Sequence, residues 1–285
     1  MVLVAPMMVD GAPRLALSYG LFTVLTPRPE GDGRWQNGIE WEPLSCGPVS
    51  GFGAWCPTDD NGDPIEQVGI PKGFNTNPAL GEASPFGVYA SYNCSPVGRS
   101  IEEGAIRARA ILAAREEAMV ERTLWNGTLG NTPNLQDDAE DITPTPGTAV
   151  DPVEAIGLLE EFNGQNYGSQ GIIHLTRRGA TAAIGAYVVF REGARLVTGL
   201  GTPVVAGAGY PGTSPAGAAA DPGESWGYVS PALIGYRSEV FEPSNRQGDL
   251  LDRGINQLMA MAERSYVIGY DPCGVGAVNL TTTCC

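Results

Sequence analysis

The sequence has very few basic side chains. Its 17 Lys and Arg residues, of which only Lys72 is a lysine, stand against 32 Asp and Glu residues, so the formal net charge is −15. A protein that binds nucleic acid by neutralising phosphates needs clustered lysine and arginine. The composition therefore excludes binding of DNA or RNA through a basic surface.

Cysteine is also scarce, and 6 residues in a chain of 285 do not form a disulfide scaffold. No Cys-x-x-Cys pair occurs, and the single histidine, His174, cannot complete a Cys/His zinc pattern. The candidates for a disulfide are Cys46, Cys56, Cys94, Cys284 and Cys285. Three outcomes stay open: bridges between copies of the chain, bridges within one chain, or six reduced thiols with Cys273 simply buried.

Long apolar runs are missing. The charge-free stretch 179–190 is much shorter than the roughly 20 residues that a membrane-spanning helix needs, so we expect no membrane segment. The first residues, MVLVAPMMVDG, have neither a basic segment nor a long apolar one, and we expect no signal peptide.

No assembled set of catalytic residues is visible. A Ser-His-Asp or Cys-His site would have to use His174, which lies in an apolar run and is expected to be a hydrogen-bonded core histidine. Residues 207–212 match G-x-G-x-x-G, but Pro211 and a second proline at 215 prevent the helix that would receive a pyrophosphate, so we expect a surface loop. There is no G-x-S-x-G motif.

An acidic turn is the remaining metal candidate. Asp59, Asn61 and Asp63 resemble the start of a calcium loop, but Pro64 replaces the required glycine and no glutamate follows at the twelfth position. We therefore expect a plain turn there. The sequence predicts no catalytic, cofactor-binding or metal-binding residues and no enzyme activity.

What the sequence does contain is one long capped helix. Ser100 is a favourable N-cap with Glu103 at the capping-box position, and residues 101–126 predict a rod roughly 39 Å long at 1.5 Å per residue. Its predicted apolar stripe is narrow and consists of Ile101, Ala105, Ala108, Leu112 and Met119. We expect polar outer faces, which carry Arg107, Arg109, Arg115, Glu116, Glu117, Glu121 and Arg122.

Helices and strands mix along the chain without regular alternation, which predicts an α+β fold. Asp151 and Pro152 open a second helix that ends near 163–164, and 178–187 predicts a third, short one. The predicted strands are 38–42, 51–55, 86–92, 171–176, 201–206, 225–229, 232–237, 239–241, 257–270 and 275–280.

Three segments, 116–137, 196–211 and 256–280, resemble parts of the major capsid proteins of tailed bacteriophages, which have the Hong Kong 97-type shell fold. EEAMVERTLWNGTLGNTPNLQD looks like that family's spine helix running into its Gly/Pro loop. LVTGLGTPVVAGAGYP is similar to a strand of its axial domain, and NQLMAMAERSYVIGYDPCGVGAVNL to its closing strands. The resemblance covers about 100–285 and is carried by order and spacing.

The resemblance implies a division of the chain into four parts. Residues 1–33 would be an N-terminal arm and 34–98 an extended loop region that projects onto neighbours. Residues 99–150 and 232–285 would form the peripheral domain, with the spine helix 101–126 and the long strand 257–270. Residues 151–231 would form the axial domain near the ring centres.

The resemblance also implies a function. The chain would be a structural subunit that self-assembles into hexamers and pentamers of an icosahedral phage head, assembled in the host cytoplasm and enclosing double-stranded DNA without sequence-specific binding. Partners would be other copies of itself together with scaffolding, portal and decoration proteins. Some family members form a lysine–asparagine isopeptide link from the extended loop, which makes Lys72 a candidate for a covalent cross-link.

Two alternatives stay open. An encapsulin-like nanocompartment shell would share the fold and would need a groove for cargo peptides. The second alternative belongs to a different functional class of protein. The chain would be a secreted β-rich hydrolase or glycan-binding module, in which Trp35, Trp41 and Trp55 could stack on sugars. The missing signal peptide and the long polar helix oppose it.

Overall fold

The structure is a computed structural model of the 285-residue chain. It describes residues 15–29, 33–43, 46–47, 49, 59–63, 80–94, 100–243, 251–252, 254 and 257–283. The predicted strand 51–55 lies outside these residues.

The described part of the chain mixes helices and strands. The α-helices are α1 (Ile101–Asn126), α2 (Leu135–Asp138), α3 (Pro152–Asn166) and α4 (Arg177–Gly185). Short 3-10 helices occupy Leu21–Thr23 and Arg34–Asn37. The strands are β1 (Arg28–Pro29), β2 (Ile39–Trp41), β3 (Gly81–Ala83), β4 (Pro85–Cys94), β5 (Ala139–Asp141), β6 (Ile172–Thr176), β7 (Val189–Glu192), β8 (Arg195–Thr198), β9 (Pro203–Gly207), β10 (Glu224–Ser230), β11 (Leu233–Arg237), β12 (Leu251–Asp252), β13 (Gln257–Tyr270) and β14 (Val275–Thr281).

The long helix α1 confirms the prediction made from its caps. The Ser100 side chain accepts a hydrogen bond from the Glu103 N–H, and the Glu103 side chain accepts one from the Ser100 N–H. The helix ends at Gly127, whose φ of 62° is the left-handed conformation that glycine adopts without a Cβ penalty. Local chemistry therefore fixes both ends of α1.

A five-stranded sheet is built around β13. This strand pairs antiparallel with β4 along residues 258–267, and on its other side with β11 and β12. Tyr266 is therefore flanked by Phe86 on one side and Arg237 on the other. Helix α1 packs on this sheet, and Leu112, Trp125 and Tyr266 belong to one buried cluster between them.

A seven-stranded sheet has the order β5-β14-β10-β6-β9-β8-β7. Helices α3 and α4 cover it, and their buried side chains form a second cluster with Ile173, Leu175, Val204 and Val278. The architecture is α+β, as the sequence predicts.

The strands differ from the predicted ones in two places. The β7–β8 hairpin was not predicted, although residues 193–194 form its two-residue turn and Gly193 has a φ of 58°. The predicted strand 239–241 is reduced to one isolated bridge between Phe241 and Glu263.

Strand pairing groups the chain differently from the predicted domains. The division assigned 139–150 and 275–281 to the peripheral domain, yet β5 and β14 pair within the sheet that contains β6, β9 and β10. The 34–98 region was expected to be an extended loop that projects onto neighbours, but β4 pairs along its whole length with β13 and buries Phe86 and Val88. The reason is long-range pairing, which local composition does not report.

Candidate functional site

Three glutamates on one turn and a half of α1 hold parts of the chain that are distant in sequence. We call Glu116, Glu117 and Glu121 the glutamate junction. Glu121 is 1% exposed, and its two carboxylate oxygens are divided between two backbone donors. Oε1 accepts from the N–H of Leu21 at 3.0 Å, and Oε2 accepts from the N–H of Gly209 at 2.8 Å. One side chain thus ties the N-terminal segment and the loop after β9 to α1.

Glu117 holds the neighbouring position of the N-terminal segment. Its Oε1 accepts from the N–H of Phe22 at 2.8 Å. A β-carbon at Gly20 would overlap the Glu117 carboxylate, so a larger residue at position 20 would force this side chain to move. Nearby, Arg177 Nη1 donates to the backbone oxygens of Ser18 and Ala206, which joins the same segment to β9.

Glu116 faces the five-stranded sheet. Both of its oxygens lie 3.0 Å from Nη1 of Arg264 on β13, and Tyr266 donates its hydroxyl to Oε2 at 3.0 Å. The two charged side chains are only 11% and 17% exposed. A buried charge needs a partner of this kind, because desolvation of a lone carboxylate costs several kcal/mol.

Burial is the main cause of the pKa shifts in the glutamate junction. It raises the pKa of Glu121 to about 7, against the opposing effect of the two N–H donors from Gly209 and Leu21. Burial likewise raises the pKa of Glu117, and the N–H of Phe22 lowers it. Burial and the nearby Glu116 carboxylate raise the pKa of the Tyr266 hydroxyl.

The glutamate junction was not predicted from the sequence. Glu116, Glu117 and Glu121 were expected on polar outer faces of the helix, whereas Glu116 and Glu121 are buried and Glu117 is partly buried. Their partners lie between 88 and 150 residues away, beyond the reach of a helical pattern. Arg107, Arg109, Arg115 and Arg122 are exposed, as expected.

The loop 207–212 is not a simple surface loop. Gly209 and Tyr210 are buried, and Gly209 packs on the backbone of Ala118 in α1. No helix begins in the described residues 211–223, as Pro211 and the proline at 215 predict. Its glycines instead allow the chain to approach α1.

His174 is the core histidine that the sequence predicts. It is 0% exposed, with Nδ1 2.8 Å from the Tyr210 hydroxyl and Nε2 2.9 Å from Ser230 Oγ. Burial lowers the pKa of its imidazole to about 3, so the ring is neutral at ordinary pH. Both ring nitrogens are occupied by core hydrogen bonds.

The acidic turn is also as predicted. Asp59 Oδ1 accepts from the N–H groups of Asn61 and Asp63, each at 2.9 Å, which closes a short turn.

Trp35 is buried, and Trp41 donates its Nε1–H to Asp271, so neither indole stands free on the surface. Trp55 lies outside the described residues.

The described residues contain one disulfide, which joins a cysteine that was a disulfide candidate to one that was not. Cys46 is bonded to Cys273, with their α-carbons 5.0 Å apart. Of the three outcomes left open, this bond is a bridge within one chain, and it joins Cys273, which is half-buried in the turn after β13. Cys94 is a half-buried free thiol. Cys56, Cys284, Cys285 and Lys72 lie outside the described residues, and their roles stay predictions.

No helix among the described residues has the length and hydropathy to cross a bilayer. No protein-family model matches the chain, and no curated protein sequence matches it.

Solved structures match over nearly the whole length. A protein of Mycobacterium phage Ogopogo aligns with a TM-score of 0.56 at 14% identity, covering 98% of this chain and 97% of that one. The capsid of the native GTA particle, computed with C5 symmetry, gives 0.56 at 12% identity and covers 98% and 96%. The encapsulin of the holo-SrpI complex from Synechococcus elongatus PCC 7942 gives 0.53 at 12% identity and covers 98% and 94%.

These matches, together with the α+β architecture, identify the fold as the Hong Kong 97-type capsid fold. The described part of the chain has this fold, with α1 as its spine helix.

Proposed function

We propose that this protein is the major capsid protein of a tailed bacteriophage, a structural subunit without catalytic activity. It assembles into hexamers and pentamers of an icosahedral head, in the host cytoplasm, and the head encloses double-stranded DNA. The observation that carries the proposal is the match of nearly the whole chain to the capsid of the GTA particle. Portal, scaffolding and decoration proteins would be its further partners.

The surface supports self-association. Val153, Tyr187, Phe190 and Leu200 are 54%, 82%, 46% and 81% exposed, and they line one groove beside α3. Soluble monomers rarely leave large apolar side chains grouped on the surface, because a partner normally covers such a patch. A ring of identical subunits would bury this groove through heterologous contacts.

A second groove lies between α1 and the N-terminal segment. It has a volume of about 980 Å³ and is lined by Leu15 and Leu17, which are 94% and 59% exposed. The net charge of −15 also suits a container, because an acidic wall does not trap DNA by phosphate binding.

The domain division is part of the proposal, with two changes from the sequence version: β5 and β14 join the axial domain, and the extended loop region ends before β4. The peripheral domain contains α1 and the five-stranded sheet, and the axial domain contains α3, α4 and the seven-stranded sheet, including β5 and β14. Residues 1–33 would form the arm, and the extended loop region would lie within 34–84, before β4.

Electron microscopy of the purified protein tests the proposal, since closed shells or capsomers are expected and monodisperse monomer contradicts it.

A second experiment tests whether assembly needs an unbroken helix α1. Ala108→Pro should kink α1 at a cost of about 3 kcal/mol or more and reduce shell yield in sedimentation. Ile101→Pro, at the first helical position where proline is tolerated, is the matched control. Equal yields from both variants would show that assembly does not need an unbroken α1.

A nanocompartment shell is the second candidate, favoured by the match to the SrpI encapsulin. The contents of the particle separate the two functions. A phage head purified from infected cells contains DNA, whereas a nanocompartment contains a protein cargo and no genome.

A further inference from the structure

The disulfide lies beside a carboxylate. One ligand atom from each of Cys46, Asp271 and Cys273 falls within 4.8 Å of the others, and all three side chains are half-buried. Cys46 and Cys273 are 227 positions apart in sequence, so no Cys-x-x-Cys pattern could reveal the group. Among the residues that the structure describes, it is the one cluster with the composition and spacing of a metal site.

Neighbouring structure holds the carboxylate in place. Trp41 donates its Nε1–H to Asp271 Oδ1 at 2.7 Å, and Trp41 itself is fixed by the pairing of β2 with β3. The N–H of Cys273 donates to the backbone oxygen of Asp271 at 2.8 Å, which closes the turn that presents both side chains on the same side. Hydrogen bonds of this kind orient the ligands of metal sites.

Reduction of the disulfide would leave three acidic groups in one place. Two thiolates and a carboxylate repel each other, and this repulsion favours either protonated thiols or a bound cation. Two sulfur ligands select a borderline-soft ion such as Zn²⁺ over Mg²⁺ or Ca²⁺, which prefer oxygen. Three protein ligands leave the fourth tetrahedral position of Zn²⁺ to water.

We propose that Cys46, Asp271 and Cys273 form a Zn²⁺ site when the thiols are reduced, and that the disulfide is the oxidised, metal-free form of the same site. In either form the group ties residue 46 to the end of β13. Such a site was not expected from the sequence, and it does not depend on the proposed capsid function.

The two forms interconvert by thiol–disulfide exchange with a small disulfide such as oxidised glutathione. One cysteine thiolate attacks the small disulfide, forms a mixed disulfide and releases one small thiolate. The second cysteine thiolate then attacks the cysteine sulfur of the mixed disulfide and releases the other small thiolate. The protein loses two electrons and its Zn²⁺, and the small disulfide is reduced to two thiols, which take their protons from water.

The test uses a full-length variant in which Cys56, Cys94, Cys284 and Cys285 are serine, so that only the proposed pair remains. The reduced variant is equilibrated with Zn²⁺ and a chromophoric chelator, and its metal content is measured. One Zn²⁺ per chain is expected, and oxidised glutathione should release it. Adding Cys273→Ser should abolish binding, and Asp271→Asn should weaken it at least tenfold. Trp41→Phe should weaken it by about 10–100-fold, as loss of an orienting hydrogen bond does.

Two results would overturn the proposal. One is a reduced variant that binds no Zn²⁺, and the other is binding that survives Cys273→Ser or oxidation. The reduced variant with Co²⁺ in place of Zn²⁺ guards against loss of binding through misfolding, because it needs no ligand substitution. Thiolate-to-cobalt charge-transfer absorption is expected, and its absence would contradict the site.

Discussion

Gly209 packs so closely on Ala118 of α1 that a β-carbon at position 209 would overlap the Ala118 carbonyl oxygen. The overlap is with backbone, so no rotamer change relieves it. The loop after β9 and the helix α1 therefore fit together only if residue 209 has no side chain.

Replacing this glycine should destabilise the subunit strongly. We expect Gly209→Ala to lower the free energy of unfolding by about 3 kcal/mol or more, since the loop must move and the N–H contact with Glu121 is lost. Gly157→Ala is the matched control, because Gly157 lies on the exposed face of α3 with nothing within 4 Å of an added β-carbon. It should stabilise by roughly 0.5–1 kcal/mol. Urea unfolding of the unassembled subunit measures both, and a small loss in Gly209→Ala would contradict the close packing.

Glu121 should make stability depend on pH. The folded state raises its pKa from the ordinary value of 4.5 to about 7, so between these pH values the folded chain retains a proton that the unfolded chain has released. Stability therefore falls as pH rises through this window and is level above it. In Glu121→Gln the part of the fall that Glu121 causes is removed, and from pH 5 to pH 8 the difference in unfolding free energy should shift by about 2.5 kcal/mol in favour of the variant.

The control for this experiment is Glu161→Gln, on the exposed face of α3. Its pH profile of unfolding free energy should follow that of the wild type. If Glu121→Gln also follows the wild-type profile, the carboxylate of Glu121 does not titrate in this window.

The ion pair of the glutamate junction should be costly to break. Arg264→Met leaves the Glu116 carboxylate buried without its cation, and we expect a loss of about 3–5 kcal/mol. The double variant Glu116→Gln/Arg264→Met should recover part of it, because the uncompensated charge is gone. Arg109→Met breaks the pair with Glu242, whose side chains are 50% and 36% exposed, and should cost about 0–1 kcal/mol. Equal losses in the two single variants would refute the role of burial.

Covalent links between subunits are tested by gel electrophoresis of alkylated particles with and without reductant. The hypothesis of disulfides between subunits predicts multimers only without reductant, and their loss in a Cys284→Ser/Cys285→Ser variant would assign them to the C-terminal cysteines. The Cys46–Cys273 bridge is within one chain and produces no multimer. Monomer in both lanes argues against bonds between subunits.

An isopeptide link through Lys72 has a different signature on the same gel. It predicts a ladder of multimers that resists boiling and reductant and disappears in Lys72→Arg. A single reduced band near 29.9 kDa would dismiss the link.

Features that depend on local chemistry could be predicted from the sequence. The capping box at Ser100 and Glu103, the proline-initiated helix at 152 and the alternating strand 257–270 are each encoded within a few residues, and the structure contains all three. The β7–β8 hairpin was predictable in the same way, since Gly193 marks a two-residue turn between apolar runs, but its signal was overlooked.

The junction and the disulfide could not be predicted, because their members meet only after folding. Nothing near Glu121 in the sequence indicates that Leu21 and Gly209 will donate to it, and a helix-surface pattern treats such a glutamate as solvated. Cys46 and Cys273 likewise meet only because β13 ends beside Trp41.

The position of β13 and β14 has a consequence for synthesis of the chain. In the five-stranded sheet β4, β11 and β12 all pair with β13, and in the seven-stranded sheet β14 separates β5 from β10. Both strands lie within residues 257–281, so a ribosome has already made β4, β5, β10 and β11 before either sheet can form completely. Until then β4 and β10 have edges without their final partners, and such edges pair readily with other nascent chains. Completion of both sheets therefore waits for residues 257–281, and aggregation competes with folding most strongly before these residues have been synthesised.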